Sequence, residues 1–480
     1  MLSPSMRPSL LLMTCILAPT TLTAGVPKRS ISLPLNRRDK SGSSSINGTS
    51  LLTATNFGSV FDTNVTFGDQ TFQVFIDTGS SDTWVVRNDF TCFDRTSGLK
   101  LPQKSCNYGP ASYDPINSAS YELIPDEIFG IQYGDGMSSG VMAYENITLA
   151  GLSIRQKVGI INASSPMGDG VNVGVLGLGY PSLTSAHPGP SQDNETFWYN
   201  RLPYEPLIFN MSEQGLIDPY FSLAIARTSQ NETIGFGGYL TLGGLAPANH
   251  SDKWATVPVE IHETIPANFT SGERVISYWT TTVNGFRYGP ATPVGGGSQN
   301  DAKNLTTDDT RFQVFFDNGN YLTFLPEKIV APINALFDPP AIWNDELSIY
   351  VVQCDAVAPA FGITLDNQTF FHDGRDLVYQ TEAGICISNL VPSETISIGD
   401  ITLHIIGAGF YKNVLSVFDF GKNEMRFASL LGEVVVGHDS NQSTGDTTAP
   451  AQRNAASSVA ASIILVSGLV AGLLSLMLAC

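Results

Sequence analysis

Apolar residues along the chain come in short runs or alternate with polar ones, and each run is closed by Gly, Asn, Asp or Pro. Examples are "TFQVFID", "ENITLAGLSI", "FSLAIA", "YLTLGG", "FQVFFD", "TISIGDITLHII" and "VLSVFDF". Alternation over such short windows, bounded by turn formers, is the pattern of β-strands with one buried face. No long stretch sustains a helical period. The best helix candidate is "PEKIVAPINALF" (Pro326–Phe337), entered by a proline whose missing N–H would have no partner in a first turn anyway. The pattern predicts a mainly β fold.

One of these strands is written twice. "FQVFIDTGSSDTWVV" begins at Phe72 and "FQVFFDNGNYLTFLP" at Phe312. Well downstream of each, two apolar residues precede a glycine, "VLG" at Val175–Gly177 and "IIG" at Ile405–Gly407. Two long copies predict two homologous lobes rather than a solenoid, which stacks three or more short repeats. The boundary falls after "YLTLGGLAPANHSDKW", giving an N-terminal lobe over 52–255 and a C-terminal lobe over 256–435.

The repeat changes how its aspartates are read. One Asp at a strand end is an ordinary turn former. Two related by duplication can be brought face to face by a pseudo-two-fold axis, and two carboxylates in contact share a proton because both cannot ionise cheaply. Asp77 and Asp317 can then act as base and acid around one water, which hydrolyses an amide without metal or covalent intermediate. Gly79 and Gly319 allow close backbone approach and offer N–H donors. Ser80 is placed to donate to the outer oxygen of Asp77, and Thr78 to reach a main-chain group across the pair.

Charge and composition narrow the alternatives. At 480 residues the chain is long enough for two domains, and only 14% of it is charged. With 25 basic against 44 acidic residues the formal charge is −19, which excludes nucleic acid as a partner. An acidic surface serves solubility, or service at acidic pH where carboxylates are protonated. The six histidines are scattered and no Cys/His cluster has ligand spacing, so neither metal nor cofactor is expected. "GMSSG" (Gly136–Gly140) resembles a serine-hydrolase elbow, but a strand-like segment follows where a helix is required. A carboxylate-pair glycosidase has no use for duplicated Asp-x-Gly turns.

The ends point to the secretory pathway. Residues 1–24 have Arg7, an apolar run and small residues before Gly25, the form of a signal peptide. Basic pairs Lys28-Arg29 and Arg37-Arg38 mark 25–38 as a propeptide. A Ser/Thr/Asn-rich spacer (436–455) leads to an apolar tail (456–480) with no basic residue after it. That arrangement suits replacement by a GPI anchor better than a permanent span, with Asn454 or Ser443–Gly445 as the attachment region. Cys15 and Cys480 would leave with the ends. Cys92, Cys106, Cys354 and Cys386 remain, and of three connectivities Cys92–Cys106 with Cys354–Cys386 is the economical one. Glycan acceptors are Asn47, Asn64, Asn146, Asn162, Asn194, Asn210, Asn231, Asn249, Asn268, Asn304, Asn367 and Asn441.

"DTGSSDTW" (Asp77–Trp84), "YGDG" (Tyr133–Gly136), "LGLG" (Leu176–Gly179) and the second Asp-x-Gly, in that order, resemble the pepsin-like aspartic peptidases over about residues 52–430. Signal, dibasic leader and tail resemble the cell-surface members found in fungi. The resemblance implies a bilobal fold of two β-barrel-like lobes and a monomeric endopeptidase acting on extended polypeptides, at acidic pH, outside the cell or on its GPI-anchored surface. Asp77 and Asp317 would be the catalytic dyad. Tyr133, Gly134, Asp135 and Gly136 would form the tip of a hairpin flap, with the Tyr133 hydroxyl paired to the Trp84 indole. "VLG" and "IIG" would pass behind the two Asp loops. The second motif departs from the family, since "DNGN" puts Asn318 and Asn320 where hydroxyl residues are usual. Asn keeps a donor through its amide, so both bonds can be imitated. Loss of them would leave a catalytically impaired surface glycoprotein acting by binding. The long segments 91–110, 182–206 and 289–309, rich in Pro, Gly and sequons, read as surface insertions.

Overall fold

The computed structural model describes residues 31–35 and 53–435, apart from 56–57, 135, 190–196, 229–233, 291–304, 382, 397–400 and 402. The signal (1–24), the spacer (436–455), the tail (456–480), Asp135 and the sequons at Asn47, Asn194, Asn231, Asn304 and Asn441 lie outside the described residues. Among the described residues no helix is long and apolar enough to cross a membrane.

The duplicated strands occupy equivalent places in two sheets. Gln70–Asp77 lies between Val60–Phe67, antiparallel, and Gly174–Gly177, parallel, in an eleven-stranded sheet. Gln313–Phe316 lies between Thr280–Thr282, antiparallel, and Ile405–Ile406, parallel, in a five-stranded sheet. The "VLG" and "IIG" segments thus do pass behind the Asp loops. They are apolar throughout because both their faces are covered, and Leu176 and Ile406 are fully buried. Each segment ends on a glycine because the chain closes in on it. A Cβ on Gly177 would lie 2.4 Å from the Ser81 carbonyl carbon, and one on Gly407 2.2 Å from the Leu322 oxygen.

A six-stranded sheet joins the halves. It holds Tyr220–Ile225 and Gly238–Leu242 from before residue 255, with Ala255–Pro258, Val414–Asp419 and Glu424–Ser429 after it. Phe221 stacks on Phe418 with centroids 4.8 Å apart, and both meet the buried Trp279. Its sixth strand is Ile31–Leu35, paired antiparallel with Gly238–Leu242, so part of the expected leader is built into this sheet.

The helix in the second half runs Glu327–Asn334 behind Pro326, shorter than the sequence pattern suggested. The Asn334 amide donates to the carbonyls of Val330 and Leu390, which ties the helix end to a neighbouring strand. Disulfides join Cys92 to Cys106 and Cys354 to Cys386, one in each half. Of the described sequons, Asn146, Asn249, Asn268 and Asn367 are exposed, while Asn64, Asn162 and Asn210 are half-buried.

Candidate active site

The two strand ends meet. The Gly79 N–H donates to Asp77 Oδ1 and the Gly319 N–H to Asp317 Oδ1, both at 2.8 Å. Each glycine also faces the opposite carboxylate. A Cβ on Gly79 would come within 2.6 Å of Asp317 Oδ1, and one on Gly319 within 2.3 Å of Asp77 Oδ1. Any side chain there would force the carboxylates apart, so this is one place where glycine is required by close approach.

The pair is electrostatically unequal. Burial lifts the Asp77 carboxyl above the usual range, but the Ser80 hydroxyl and the Gly79 N–H hold it down. Ser80 Oγ donates to Asp77 Oδ2, as its position in the turn suggested. Asp317 is raised much further, by burial first and then by the adjacent Asp77 charge, with which it shares a hydrogen bond. Its relief comes from main-chain N–H groups of Gly319 and Asn320. The Asn320 side chain points elsewhere, its Oδ1 accepting from the Leu322 N–H at 3.1 Å. Asn320 therefore does not replace the missing hydroxyl through its amide.

Asn318 does replace its hydroxyl. Thr78 Oγ1 donates to the Phe316 carbonyl at 3.0 Å, the cross-pair main-chain contact expected of it, and accepts from the Asn318 N–H at 2.9 Å. In return Asn318 Nδ2 donates to the Ile76 carbonyl at 2.8 Å and Oδ1 accepts from the Thr78 N–H at 2.9 Å. The two loops exchange four hydrogen bonds, each between one of these two fully buried residues' side chains and the main chain of the opposite loop. Tyr411 adds a hydroxyl 3.2 Å from Thr78 Oγ1. Its sequence signal, four residues after the "IIG" glycine, was too slight to read.

Over the pair stands a hairpin of Glu122–Gln132 and Met137–Leu149. The Tyr133 N–H donates to the Gly136 carbonyl at 2.7 Å, closing its tip, and Arg95 Nη1 donates to the Gly134 carbonyl at 2.9 Å. Trp84 Nε1 donates to the Tyr133 hydroxyl at 2.9 Å. Burial, and next the Asp77 charge, push the Tyr133 hydroxyl far above its ordinary pKa, so it stays protonated. Tyr278 is raised to about 12, mainly by burial and in smaller measure by the charges of Asp317 and Asp77. The segment carrying "GMSSG" is strand, with no helix behind it.

The described parts of segment 182–206, residues 182–189 and 197–206, are not wholly the surface loop its composition suggested. Ala186–Pro188 pairs antiparallel with Glu127–Phe129 of the hairpin, and Leu183, Phe197 and Arg201 are buried. Among the described residues no group of His, Cys, Asp and Glu could hold a metal ion.

A family model described as eukaryotic aspartyl protease matches residues 61–430. A chain named "Probable aspartic-type endopeptidase" from Aspergillus fumigatus is 36% identical over 377 residues, covering 77% of this chain and 78% of that one. Rhizopuspepsin-1 of Rhizopus niveus is 26% identical over 357 residues, covering 73% and 74% respectively. The crystal structure of an aspartic proteinase from Irpex lacteus superposes with a TM-score of 0.57 at 18% identity, covering 84% of this chain and 98% of that one. This last likeness concerns the fold.

Proposed function

This chain belongs to the eukaryotic aspartyl protease family and is an aspartic-type endopeptidase, and from that premise we propose that Asp77 and Asp317 are its catalytic pair, acting at acidic pH on extended polypeptides outside the cell. The observation that carries this reading is the mutual approach of the two carboxylates, each held by its own glycine N–H and each facing the glycine of the other loop.

The roles follow from the unequal donors. Asp77, with Ser80 and Gly79 both donating to it, is the anion. Asp317, next to that charge, holds the shared proton. A water between them loses a proton to Asp77 as its oxygen attacks the scissile carbonyl, while Asp317 gives its proton to the carbonyl oxygen. The tetrahedral diol then collapses. Asp77 returns its proton to the leaving nitrogen, and Asp317 recovers one from the diol. Tyr133 and its hairpin close over the peptide. Asn318 costs this scheme nothing, since every bond between the loops is made. A binding-only reading therefore loses its main support.

The N-terminal apolar run and the tail (456–480) support entry into the secretory pathway and a GPI anchor on a monomeric ectodomain. Release from cells by a phosphatidylinositol-specific phospholipase tests the anchor, and retention of all activity on treated cells counts against it.

The test of the chemistry is direct. The purified protein should cleave a denatured protein at about pH 3–5, where one carboxyl of such a pair keeps its proton. A pepstatin-type inhibitor should block it. Folded protein inert at every pH would sink the assignment, and so would an Asp317→Asn variant of unchanged activity.

A further inference from the structure

Aspartic endopeptidase activity leaves segment 182–206 unexplained, yet this segment is seated on the hairpin that covers the pair. Its short strand extends the sheet of the hairpin through Glu127–Phe129, and the Gly130 N–H donates to the Ser185 carbonyl at 3.1 Å. Phe197 lies where a side chain on Gly130 would stand, because a Cβ there would come within 2.0 Å of its ring. Next to it, Trp198 Nε1 donates to Gln132 Oε1 at 3.0 Å. Gln132 is the last residue of its strand, immediately before Tyr133.

The same tryptophan reaches the other lobe. Its ring packs on Phe269 with centroids 5.5 Å apart, tilted by 47°. Phe269 belongs to the short helix Ala267–Thr270, within the stretch that runs between the shared sheet and Tyr278. Three residues beyond Trp198, the Arg201 guanidinium also meets Phe269, 4.4 Å from its ring centroid. The Arg201 carbonyl accepts from Ser271 Oγ at 3.1 Å. The contact between lobes is thus aromatic, charged and hydrogen-bonded at once, with Phe269 and Arg201 both more than nine-tenths buried.

We propose that Trp198 is a positioning residue for the hairpin: it ties Gln132, and through it Tyr133, to Phe269 of the opposite lobe and so holds the hairpin over the cleft before substrate arrives. The physical basis is preorganisation. A hairpin joined to the rest of the molecule only at its base must be ordered by the substrate, and that ordering is subtracted from binding. A strand edge, a packed ring and a directed hydrogen bond do the ordering in advance. Gln132 and Trp198 are both half-buried and the Gln132 amide oxygen is the acceptor, so the bond needs a donor at the place of the indole N–H.

Trp198→Phe keeps a ring against Phe269 and removes the donor. Gln132→Leu removes the acceptor and leaves the main-chain pairing of Gln132 with Met137 available to the hairpin. Steady-state kinetics on one long peptide, with melting temperatures alongside, read the outcome. Losing one hydrogen bond between neutral groups corresponds to about a five- to tenfold change in an equilibrium. KM should therefore rise about five- to tenfold in each variant, with kcat nearly unchanged. The double variant should be no worse than either single one, because both remove the same bond. Phe269→Leu should raise KM in the same direction although Phe269 belongs to the other lobe. Unmoved KM in Trp198→Phe and Gln132→Leu overturns the proposal. So do effects that multiply in the double variant, which would mean that Gln132 meets the substrate independently of Trp198. A fall in kcat with melting temperature and no change in KM would leave Trp198 a packing residue only.

Discussion

Thr78 and Asn318 satisfy each other completely: each side chain bonds the main chain of the other loop, and each main-chain N–H is taken by the side chain opposite. Asn318→Ala would leave the Ile76 carbonyl and the Thr78 N–H buried without partners. Each such group costs about 1–3 kcal/mol. The expected result is a melting temperature lowered by several degrees together with a fall in kcat/KM, since the same bonds set the distance between the carboxylates. Asn318→Thr restores a hydroxyl and should recover most of both. Calorimetry and peptide kinetics on the two variants check this, and an Ala variant as stable as the parent would contradict it.

The inequality of the two carboxylates predicts a directional change in pH dependence. Ser80 donates to Asp77, whereas the Asn320 side chain is turned to Leu322 and leaves Asp317 with main-chain donors alone. A donor to a carboxylate stabilises its anion and lowers its pKa. Asn320→Ser, at the position equivalent to Ser80, should therefore let Asp317 lose its proton at lower pH. The alkaline limb of kcat/KM against pH should move toward acid. Ser80→Ala should act on the other side, raising the pKa of Asp77 and moving the acid limb upward. The full pH profile of each variant decides the matter, and a shift of either limb in the opposite direction would reverse the assignment of anion and acid.

How much of this was legible in the sequence depended on distance along the chain. The repeated strand and its Asp-x-Gly turn are local patterns from which the two lobes and the paired carboxylates could be read, while the apolar segments behind the turns and the Trp84–Tyr133 contact came from the family resemblance. The fate of Asn318 and Asn320 could not. Both amides can donate, and only the packing of the loops turns one across the pair and the other back on its own turn. Segment 182–206 misled for a related reason. Its Pro, Gly, Ser and Asn content is that of a surface loop, but Gly130, more than fifty residues earlier, leaves a place for Phe197. Nothing local in either stretch announces the other.

Asp62 offers a test of acid stability away from Asp77 and Asp317. It is fully buried on the strand Val60–Phe67, and neither oxygen has a hydrogen-bond partner of ordinary geometry. Burial and then the Asp169 charge lift its carboxyl well above the ordinary value of 3.8, with slight relief from Asn172. The folded state therefore binds a proton that the unfolded chain releases. Such a group contributes stability below its unfolded pKa, and that contribution is lost as pH rises through the folded value. Asp62→Asn, neutral at every pH and of the same shape, should melt higher than the parent at neutral pH, by about 1–2 °C for each kcal/mol recovered in a protein of this size. The difference should close toward pH 4. Melting curves across this range suffice, and a constant offset would mean that the gain has nothing to do with ionisation.

His372 should work in the opposite sense and set the lower bound of the acid range. Its ring is fully buried, stacked on Phe361 at 5.0 Å with Phe410 at 5.7 Å, and neither nitrogen has a hydrogen-bond partner of ordinary geometry. Burial brings its pKa from 6.5 to about 4, with the Asp376 charge and a weak contact to the Phe361 main chain raising it and Arg227 lowering it in smaller measure. The folded state here binds fewer protons than the unfolded one between those values. Stability is then complete above 6.5 and declines as pH falls toward about 4. His372→Phe keeps a ring in the stack, removes two unpaired nitrogens and deletes the ionisation. Its melting temperature should equal or exceed the parent's at neutral pH and fall less steeply on acidification, so the gap between the two proteins widens below pH 6.5. Parallel curves would show that the imidazole is not held neutral in the core. Such a histidine limits how far below neutrality the fold survives, while the raised carboxyls of Asp62 and Asp317 favour the same fold there.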